Sequence, residues 1–572
     1  MQPPAKRLAV LDLETDPFEF GKVPKPFCAG FYDGVEFISI WNTACVSMLV
    51  DRLKEMHEPL IIFAHNGGKF DYFYFLEHLD ASDLRIVNGR IIQAKLGEHE
   101  LRDSFAIMPF PLRDFKKDEI DYNKMHVSVR EQHKAEIIEY LKGDCVYLHE
   151  LVTGFFTEFG DKLTVGGSSM KQLQRFHSFT RGSKSFDETF RNDYYFGGRN
   201  QCFESGLLNG HFKIYDVNSM YPHVMKSYLH PVGTTPILGT RIEKDTCFVS
   251  VTGHNYGAFP VRTKKGSLDF TQEYGTFHTT IHEWYAAEET KSFRPDKIEK
   301  TYGFSERLCF DDFIDHFYFE RLAAKAREDK MHALFYKFVL NSAYGKFAQN
   351  PERYFEWKIT PGDTVLSEIC PSCADGPGKC GACHGRGKQI GGKVDCKACS
   401  GSTRCAFCGG NGFRWSPAYI HQGVYTIWQC PLSRLYYFNV ATGASITGAA
   451  RACLLRGLKG AHRPIYCDTD SIICEDLDGV LLHESELGAW KLEGSGESAA
   501  ICGKKLYAIF DGEGRLIKKA NKGARLTGAQ ILSIAGGATV EYRNPVPGYK
   551  LSGDHVFTTR KIRATAKISV EK

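Results

Sequence analysis

The sequence predicts an α/β and α+β multidomain protein, on three observations. At roughly 150 residues per domain, 572 residues make about four domains. Apolar strand patterns alternate with turn signals and helical spacing along most of the chain. Eight of the 19 cysteines fall between Cys370 and Cys408, in a glycine-rich stretch that reads as an insertion without a core of its own. Apolar residues at 43% and charged residues at 24% are ordinary globular usage, which excludes fibrous and wholly disordered classes. No run nears the roughly 18 consecutive apolar residues of a membrane-spanning helix. The apolar stretch Leu8 to Leu11 is cut by Asp12, short of the 7–15 or so residues of a secretory signal core. The expectation is a soluble cytoplasmic chain in a reducing compartment, with no membrane partner.

The elements follow in order. RLAVLDLE reads as a strand ended by Pro17. A second apolar strand, Pro59 to His65, runs through Asn66-Gly67-Gly68 into FDYFYFLEHL, a strand–turn–helix pattern. Glu131 to Thr153 has helical spacing, and FKIYDV is a strand ending in a turn and a helix start. Phe313 to Ala348 is a long helical stretch with a break near Asp329. After the Gly- and Cys-dense segment Thr360 to Trp415 come strands, the helix Ser445 to Leu458, the turn PIYCDTDSII and a β-rich basic end.

Charge is informative in its distribution. Lys plus Arg is 72 against 68 Asp plus Glu, yet Asp511 to Lys572 hold 12 basic and 5 acidic side chains. A basic end beside acidic residues elsewhere suits a nucleic-acid enzyme with carboxylate-bound metals; a solvated basic face is the alternative.

The clustered cysteines form four CxxC pairs: Cys370/Cys373, Cys380/Cys383, Cys396/Cys399 and Cys405/Cys408. Two thiolates three residues apart can hold one tetrahedral zinc, and a second pair completes the site. Eight sulfurs therefore suggest two structural Zn²⁺ ions, with disulfides disfavoured in a reducing compartment. The spacing in CGACHGRG and CAFCGGNG resembles the zinc domain of DnaJ-type chaperones. That resemblance implies interleaved pairing, first pair with fourth and second with third.

Two sets of carboxylates sit at strand ends. IYCDTDSII places Asp468 and Asp470 either side of Thr469, where residues two apart face the same way. YDVNSMYP ends a strand with Asp216, and three aspartates from separate segments suit two Mg²⁺ (or Mn²⁺) ions. In KFVLNSAYGKF, Lys337, Asn341, Tyr344 and Gly345 share one helical face. A lysine there can meet a triphosphate and a tyrosine can stack on a base.

The order DxxSMYP, KxxxNSxYG, YCDTDS resembles motifs A, B and C of family B DNA polymerases, and KKLY (Lys505, Tyr507) the KxY motif that follows. LDLET (Asp12, Glu14), AHNGGKFD (Asn66, Phe70, Asp71) and YLKGD (Tyr140, Asp144) resemble the three motifs of the family's 3′–5′ exonuclease. YFGGRN (Tyr195, Gly197, Gly198) resembles the YxGG motif of protein-primed members from phages, adenoviruses and linear plasmids.

The resemblance implies an RNase H-like exonuclease followed by a right-hand polymerase with two insertions. Its expected parts are 1–160 exonuclease, 161–230 palm, 231–312 first insertion, 313–349 fingers, 350–436 second insertion with the zinc module at 370–408, 437–512 palm and 513–572 thumb. Metal binding is implied for Asp216 and Asp470, with Asp468 assisting, and for Asp12, Glu14, Asp71 and Asp144, with Tyr140 orienting water. Lys337 and Lys325 would contact the incoming triphosphate, and Tyr221 would clash with a 2′-hydroxyl. Lys505 and Tyr507 would steady the primer terminus, and Lys518, Lys519 and Lys522 would meet duplex phosphates. Asn66, Phe70, Ser104 and Phe105 would meet a single-stranded primer end. Implied partners are primer-template and single-stranded DNA, dNTPs and a terminal protein as primer, the chain acting as a monomer.

Two departures stand out. The second insertion holds cysteine pairs, and Phe105 follows Ser104 where the family usually has leucine. Competing readings are a conventionally primed or primer-independent polymerase, or a metal-dependent exonuclease or nucleic-acid-binding protein.

Overall fold

The computed structural model describes residues 7–80, 84–179, 184–349, 355–362, 364–368, 370, 372–373, 379–383, 402–405, 408, 412–431, 439–521 and 523–566. The chain divides into two compact units: 1–165 with 350–436 and 545–558, and 166–349 with 437–544 and 559–572.

The first unit is built on a seven-stranded sheet. Its order is Phe37–Trp41, Pro26–Tyr32, Arg7–Thr15, Leu60–Ala64, His99–Asp103, Arg90–Leu96, Arg85–Val87. Arg7–Thr15 is central, antiparallel to Pro26–Tyr32 and parallel to Leu60–Ala64. The helix Lys134–Phe159 buries Ile137, Tyr140, Leu141, Asp144, Cys145 and Leu148, a stripe at helical spacing. Gly30 lets it seat: a Cβ there would lie 2.8 Å from Cγ of Leu141. The helix expected over FDYFYFLEHL is only Asp71–Tyr74, followed by a 3-10 turn Leu76–His78. Its crowded aromatic side chains lose rotamer freedom in a helix, and Tyr72 and Phe75 are fully buried in the sheet's core.

The cysteine-rich insertion is not free-standing. Its flanks form a three-stranded antiparallel sheet, Phe355–Pro361, Tyr425–Pro431, Ser416–His421. Trp357, Ile359 and Ile427 enter the same core as Leu76, Leu84 and Ile86. Leu551, from the hairpin Gly548–Tyr549/His555–Val556, joins them.

The second unit centres on a seven-stranded antiparallel sheet. Its order is Leu516–Asn521, Leu506–Phe510, Trp490–Gly503, Gly206–Val217, Ser471–Cys474, Tyr466–Asp468, Asn200–Cys202. The strand Leu516–Asn521 is its edge, so the boundary expected at 513 falls inside this sheet. The helix Val440–Gly460 is buried nearly all round; its Gly and Ala residues admit close neighbours, among them the helix Ile281–Thr290. That helix starts in a Thr280–Glu283 capping box at the end of a four-stranded sheet within 231–312. The break near Asp329 is real: the helices Asp311–Ala326 and Lys330–Phe347 meet there, and the Asp329 carboxylate accepts from the His332 N–H. Among the described residues no helix is long and apolar enough to cross a membrane.

Candidate active sites

In the first unit, the strand pleat puts Asp12 and Glu14 on one face. Asp71 opens the short helix after Asn66, and Tyr140 and Asp144 lie one turn apart on Lys134–Phe159. The carboxylates perturb one another. Asp12 is pushed up to about 7 by burial and then by the Asp144 charge, with Lys117 opposing. Burial and then Asp12 hold Glu14 and Asp71 well above the usual carboxylate range. Burial raises Asp144, and Lys117 opposes. The Lys117 ammonium donates to Asp144 Oδ2 at 3.0 Å, while Asp144 Oδ1 is buried with no hydrogen-bond partner among the described residues. Carboxylates close enough to raise one another, one with an orphaned oxygen, suit a hard divalent cation. The Tyr140 hydroxyl is 3.1 Å from that of Tyr122.

The neighbouring side chains differ in what they offer a strand. Asn66 has a left-handed backbone, and its Oδ1 accepts from Arg90 Nη2 at 2.9 Å. Phe70 meets Phe18, Tyr74 and Tyr549 edge-on, each at 5.6 Å between centroids. Phe105 is half-buried, with the Arg90 guanidinium 4.8 Å from its ring centroid. Ser104 is fully buried; its hydroxyl lies 2.9 Å from His65 Nδ1 and donates to the Ala64 carbonyl at 3.2 Å. Its hydroxyl is thus engaged within the protein, against the His65 ring.

In the second unit, Asp216 pairs across the sheet with Ser471, which also faces Asp468 across the turn. The Val217 N–H donates to the Asp470 carbonyl at 2.8 Å, tying the two carboxylate-bearing segments. Asp216 is pushed up to about 7 by burial, then by the charges of Asp470 and Glu493, with Lys518 opposing. Asp470 rises to about 6, by burial first; a backbone hydrogen bond opposes, and Asp468 and Glu493 add. These carboxylates likewise suit hard cations.

The turn rests on the YFGGRN loop. The Thr469 N–H donates to the Arg199 carbonyl at 2.7 Å, and Thr469 packs against Gly198. The carbonyls of Phe196 and Gly197 accept from Arg451, itself paired with buried Glu283, and the Tyr195 carbonyl accepts from Arg262. Lys505 Nζ lies 3.4 Å from Asp468. The buried Tyr507 ring is 4.8 Å from that of Tyr466, and burial pushes its hydroxyl up to about 12. Lys518 is ion-paired with Glu493, and Lys519 donates to the Leu526 carbonyl at 2.8 Å, so both are engaged within the protein. Lys522 lies outside the described residues.

Tyr221, on the helix Met220–Ser227, stacks on Tyr344 at 4.0 Å and 10°. Lys337 and Asn341 are exposed on the helix that carries Tyr344. Lys325 is lowered by burial and then by Arg321, Lys491 and Lys337, so the four cations share one patch. Arg321 Nη1 donates to Ser219 at 3.1 Å, and its Nε is buried without a hydrogen-bond partner among the described residues.

Cys370, Cys373, Cys405 and Cys408 bring their sulfurs within 4.8 Å of one another. This joins the first CxxC pair to the fourth. Cys380 is buried; the side chain of Cys383, and Cys396 and Cys399 entirely, lie outside the described residues.

Three residues beyond those read from the sequence join these sites. Lys117 sits in DFKKDE, where nothing distinguishes it from a solvated lysine. Glu493 enters only because its strand pairs beside Asp216. Arg321 was findable, since it lies one helical turn before Lys325 on Asp311–Ala326.

A family model described as DNA polymerase type B, organellar and viral, matches residues 114–370. The chain is 43% identical to the DNA-directed DNA polymerase of Enterobacteria phage PRD1, with 98% of each chain covered. It is 24% identical to the DNA polymerase of Bacillus phage phi29, over 71% of this chain and 66% of that one. The solved phi29 DNA polymerase matches 98% of this chain and 100% of its own, with a TM-score of 0.67 at 18% identity. Its complex with primer-template DNA and incoming nucleotide substrates gives 0.67 at 17%. The fold is thus an exonuclease domain with a palm, fingers and thumb polymerase. The chain belongs to the type B DNA polymerases of organelles and viruses, as a DNA-directed DNA polymerase with a 3′–5′ exonuclease.

Proposed function

We propose that the chain is a protein-primed, strand-displacing and processive replicase of a phage or linear plasmid, acting as a monomer in the host cytoplasm. The YFGGRN loop built into the catalytic turn carries the reading, together with identity to the PRD1 polymerase along the whole chain.

Asp216 and Asp470 would hold two Mg²⁺ (or Mn²⁺), with Asp468 beside them. When bound, these ions supply Lewis acidity that favours the attacking hydroxylate and neutralises the leaving diphosphate. The protein's own groups position the reactants. Lys337, Lys325 and Arg321 pair with the triphosphate, and the orphaned Arg321 Nε gives that patch an unmet demand for an acceptor. Tyr221, held flat by Tyr344, bars a 2′-hydroxyl. Asn341 lies on the same helical face as Lys337, toward the nucleotide. Lys505 and Tyr507 steady the primer end. In the exonuclease, Asp12, Glu14, Asp71 and Asp144 would hold the metals, Tyr140 orients the water, and the Lys117 charge opposes the burial that raises Asp144. Asn66, Phe70 and Phe105 line the path of the unpaired end. Cys370, Cys373, Cys405 and Cys408 would hold one structural Zn²⁺, and the two middle pairs a second. Primer-template DNA, single-stranded DNA and dNTPs are the partners this assigns, as in the phi29 complexes.

Incubation with a terminal protein, a labelled dNTP and Mg²⁺ tests the priming. A covalent nucleotide on a protein hydroxyl, formed without any oligonucleotide, is the expected result. Extension of annealed primers alone, with no labelled protein, contradicts protein priming while leaving the polymerase intact. On a primed single-stranded circle, products longer than the circle are expected; arrest at one circuit contradicts unaided strand displacement.

A further inference from the structure

The loop of residues 16–25, between the strand carrying Asp12 and Glu14 and its antiparallel neighbour, is fixed at several points. The Asp16 N–H donates to the Lys25 carbonyl at 3.1 Å, and the Lys22 N–H to the Glu19 carbonyl at 3.1 Å. Arg130 Nη1 donates to Asp16 at 2.8 Å, and the Tyr74 hydroxyl donates to the Pro24 carbonyl at 2.5 Å. Yet this pinned loop leaves Phe18 47% and Phe20 42% exposed. Rings of this size normally bury themselves, and exposed apolar groups gathered at one place mark a binding surface.

The position gives the ligand. The Phe18 ring stands edge-on to Phe70, 5.6 Å away at 89°, and Phe70 is the residue before Asp71. Phe20 meets Phe557 in the same manner at 5.6 Å. One exposed ring of the loop therefore packs on the residue before Asp71, and the other, two residues on, packs on Phe557. Charge does not draw the ligand: within 16–25, Asp16 and Glu19 balance Lys22 and Lys25, and Lys22 pairs with Glu19 at 2.7 Å. What the loop offers is π surface, which every nucleobase matches regardless of sequence.

We propose that Phe18 is a stacking residue for the unpaired bases of the primer strand as its 3′ end enters the exonuclease site, with Phe20 extending the platform. The inference rests on the exonuclease assignment and adds a strand-binding subsite to it. Phe18 acts on the strand and not on the carboxylates, so its effect falls on substrate binding.

Steady-state shortening of an end-labelled single-stranded oligonucleotide tests this with Phe18→Ala, Phe18→Leu and Phe18→Trp in the full-length protein. Base–aromatic stacking predicts that F18A and F18L each raise KM about tenfold, with kcat within about twofold of the parent, and that F18W behaves as the parent. F18L keeps the apolar bulk, so it separates stacking from packing even where F18A folds poorly. An F18L variant with parental KM overturns the proposal, because bulk alone then suffices. A fall in kcat at unchanged KM also overturns it, placing Phe18 behind the carboxylates through Phe70. A parent chain that shortens no strand removes the exonuclease assignment, and this subsite with it.

Discussion

Thr469 sits directly on Gly198: a Cβ added at 198 would lie 2.5 Å from Oγ1 and 2.8 Å from Cγ2 of Thr469. Thr469 itself holds a left-handed backbone between Asp468 and Asp470. Gly198 is therefore the floor of this turn, and any side chain there must displace Thr469, which stands between the two aspartates.

Gly198→Ala should leave the fold nearly intact, since overpacking of this kind costs about 1–3 kcal/mol, and should still impair catalysis. Misplacing reacting groups by about 1 Å costs roughly 100-fold in rate. Primer extension is expected to fall by that order while single-strand degradation persists. Extension at the parental rate contradicts the packing argument.

Tyr221 stacks flat on Tyr344, so the filter proposed for Tyr221 would be a two-ring device. Tyr344→Ala frees Tyr221 to rotate, at a cost of about 0.5–1.5 kcal/mol for the lost ring pair. The expected outcome is a several-fold rise in KM for dNTPs and a matching loss of discrimination against ribonucleotides, read from single-nucleotide insertion. Unchanged discrimination means that Tyr344 does not support the filter.

Cys405→Ser removes one sulfur from the cluster of Cys370, Cys373, Cys405 and Cys408. Metal analysis should show the content falling from about two Zn²⁺ per chain to about one, since three sulfurs hold the ion far less tightly. An unchanged content contradicts these ligands.

Two buried histidines make the polymerase unit acid-sensitive. His230 and His282 both contact the Ser445 hydroxyl, at 2.9 and 3.1 Å. Burial pushes His230 down to about 4 and His282 down to about 3 from an ordinary 6.5. The unfolded chain gains these protons near pH 6.5 and the folded chain does not until about pH 4 or below. Their contribution is complete above pH 6.5 and declines as pH falls toward 4, by up to about 1.4 kcal/mol per pH unit for each histidine. His282→Gln should flatten the loss of the urea midpoint between pH 7 and pH 5. An unaltered slope shows that His282 already titrates normally.

The sequence made the sites more legible than their surroundings. Asp12 and Glu14 announce themselves because two-residue spacing on a strand has one geometric meaning, and Asp468 and Asp470 because they flank a tight turn between two apolar strands. The helix break at Asp329 was visible for a similar reason, as capping chemistry is local. Lys117 and Glu493 were not visible, because each acquires its role from pairing with residues far along the chain. The insertion's attachment was hidden too: nothing local marks Trp357 or Ile427 as core until the sheet places them with Leu84 and Ile86. Lys518 reads as a surface cation but is occupied by Glu493 beside Asp216.

If the two carboxylate sets run two separate reactions, paired substitution separates them. Asp470→Ala, compared with the double change Asp12→Ala and Glu14→Ala, should be followed on one end-labelled primer-template with Mg²⁺, with and without dNTPs. Asp470→Ala is expected to abolish extension while the primer still shortens, and the double variant to extend the primer without shortening it. Loss of both activities in either folded variant would contradict two independent sites.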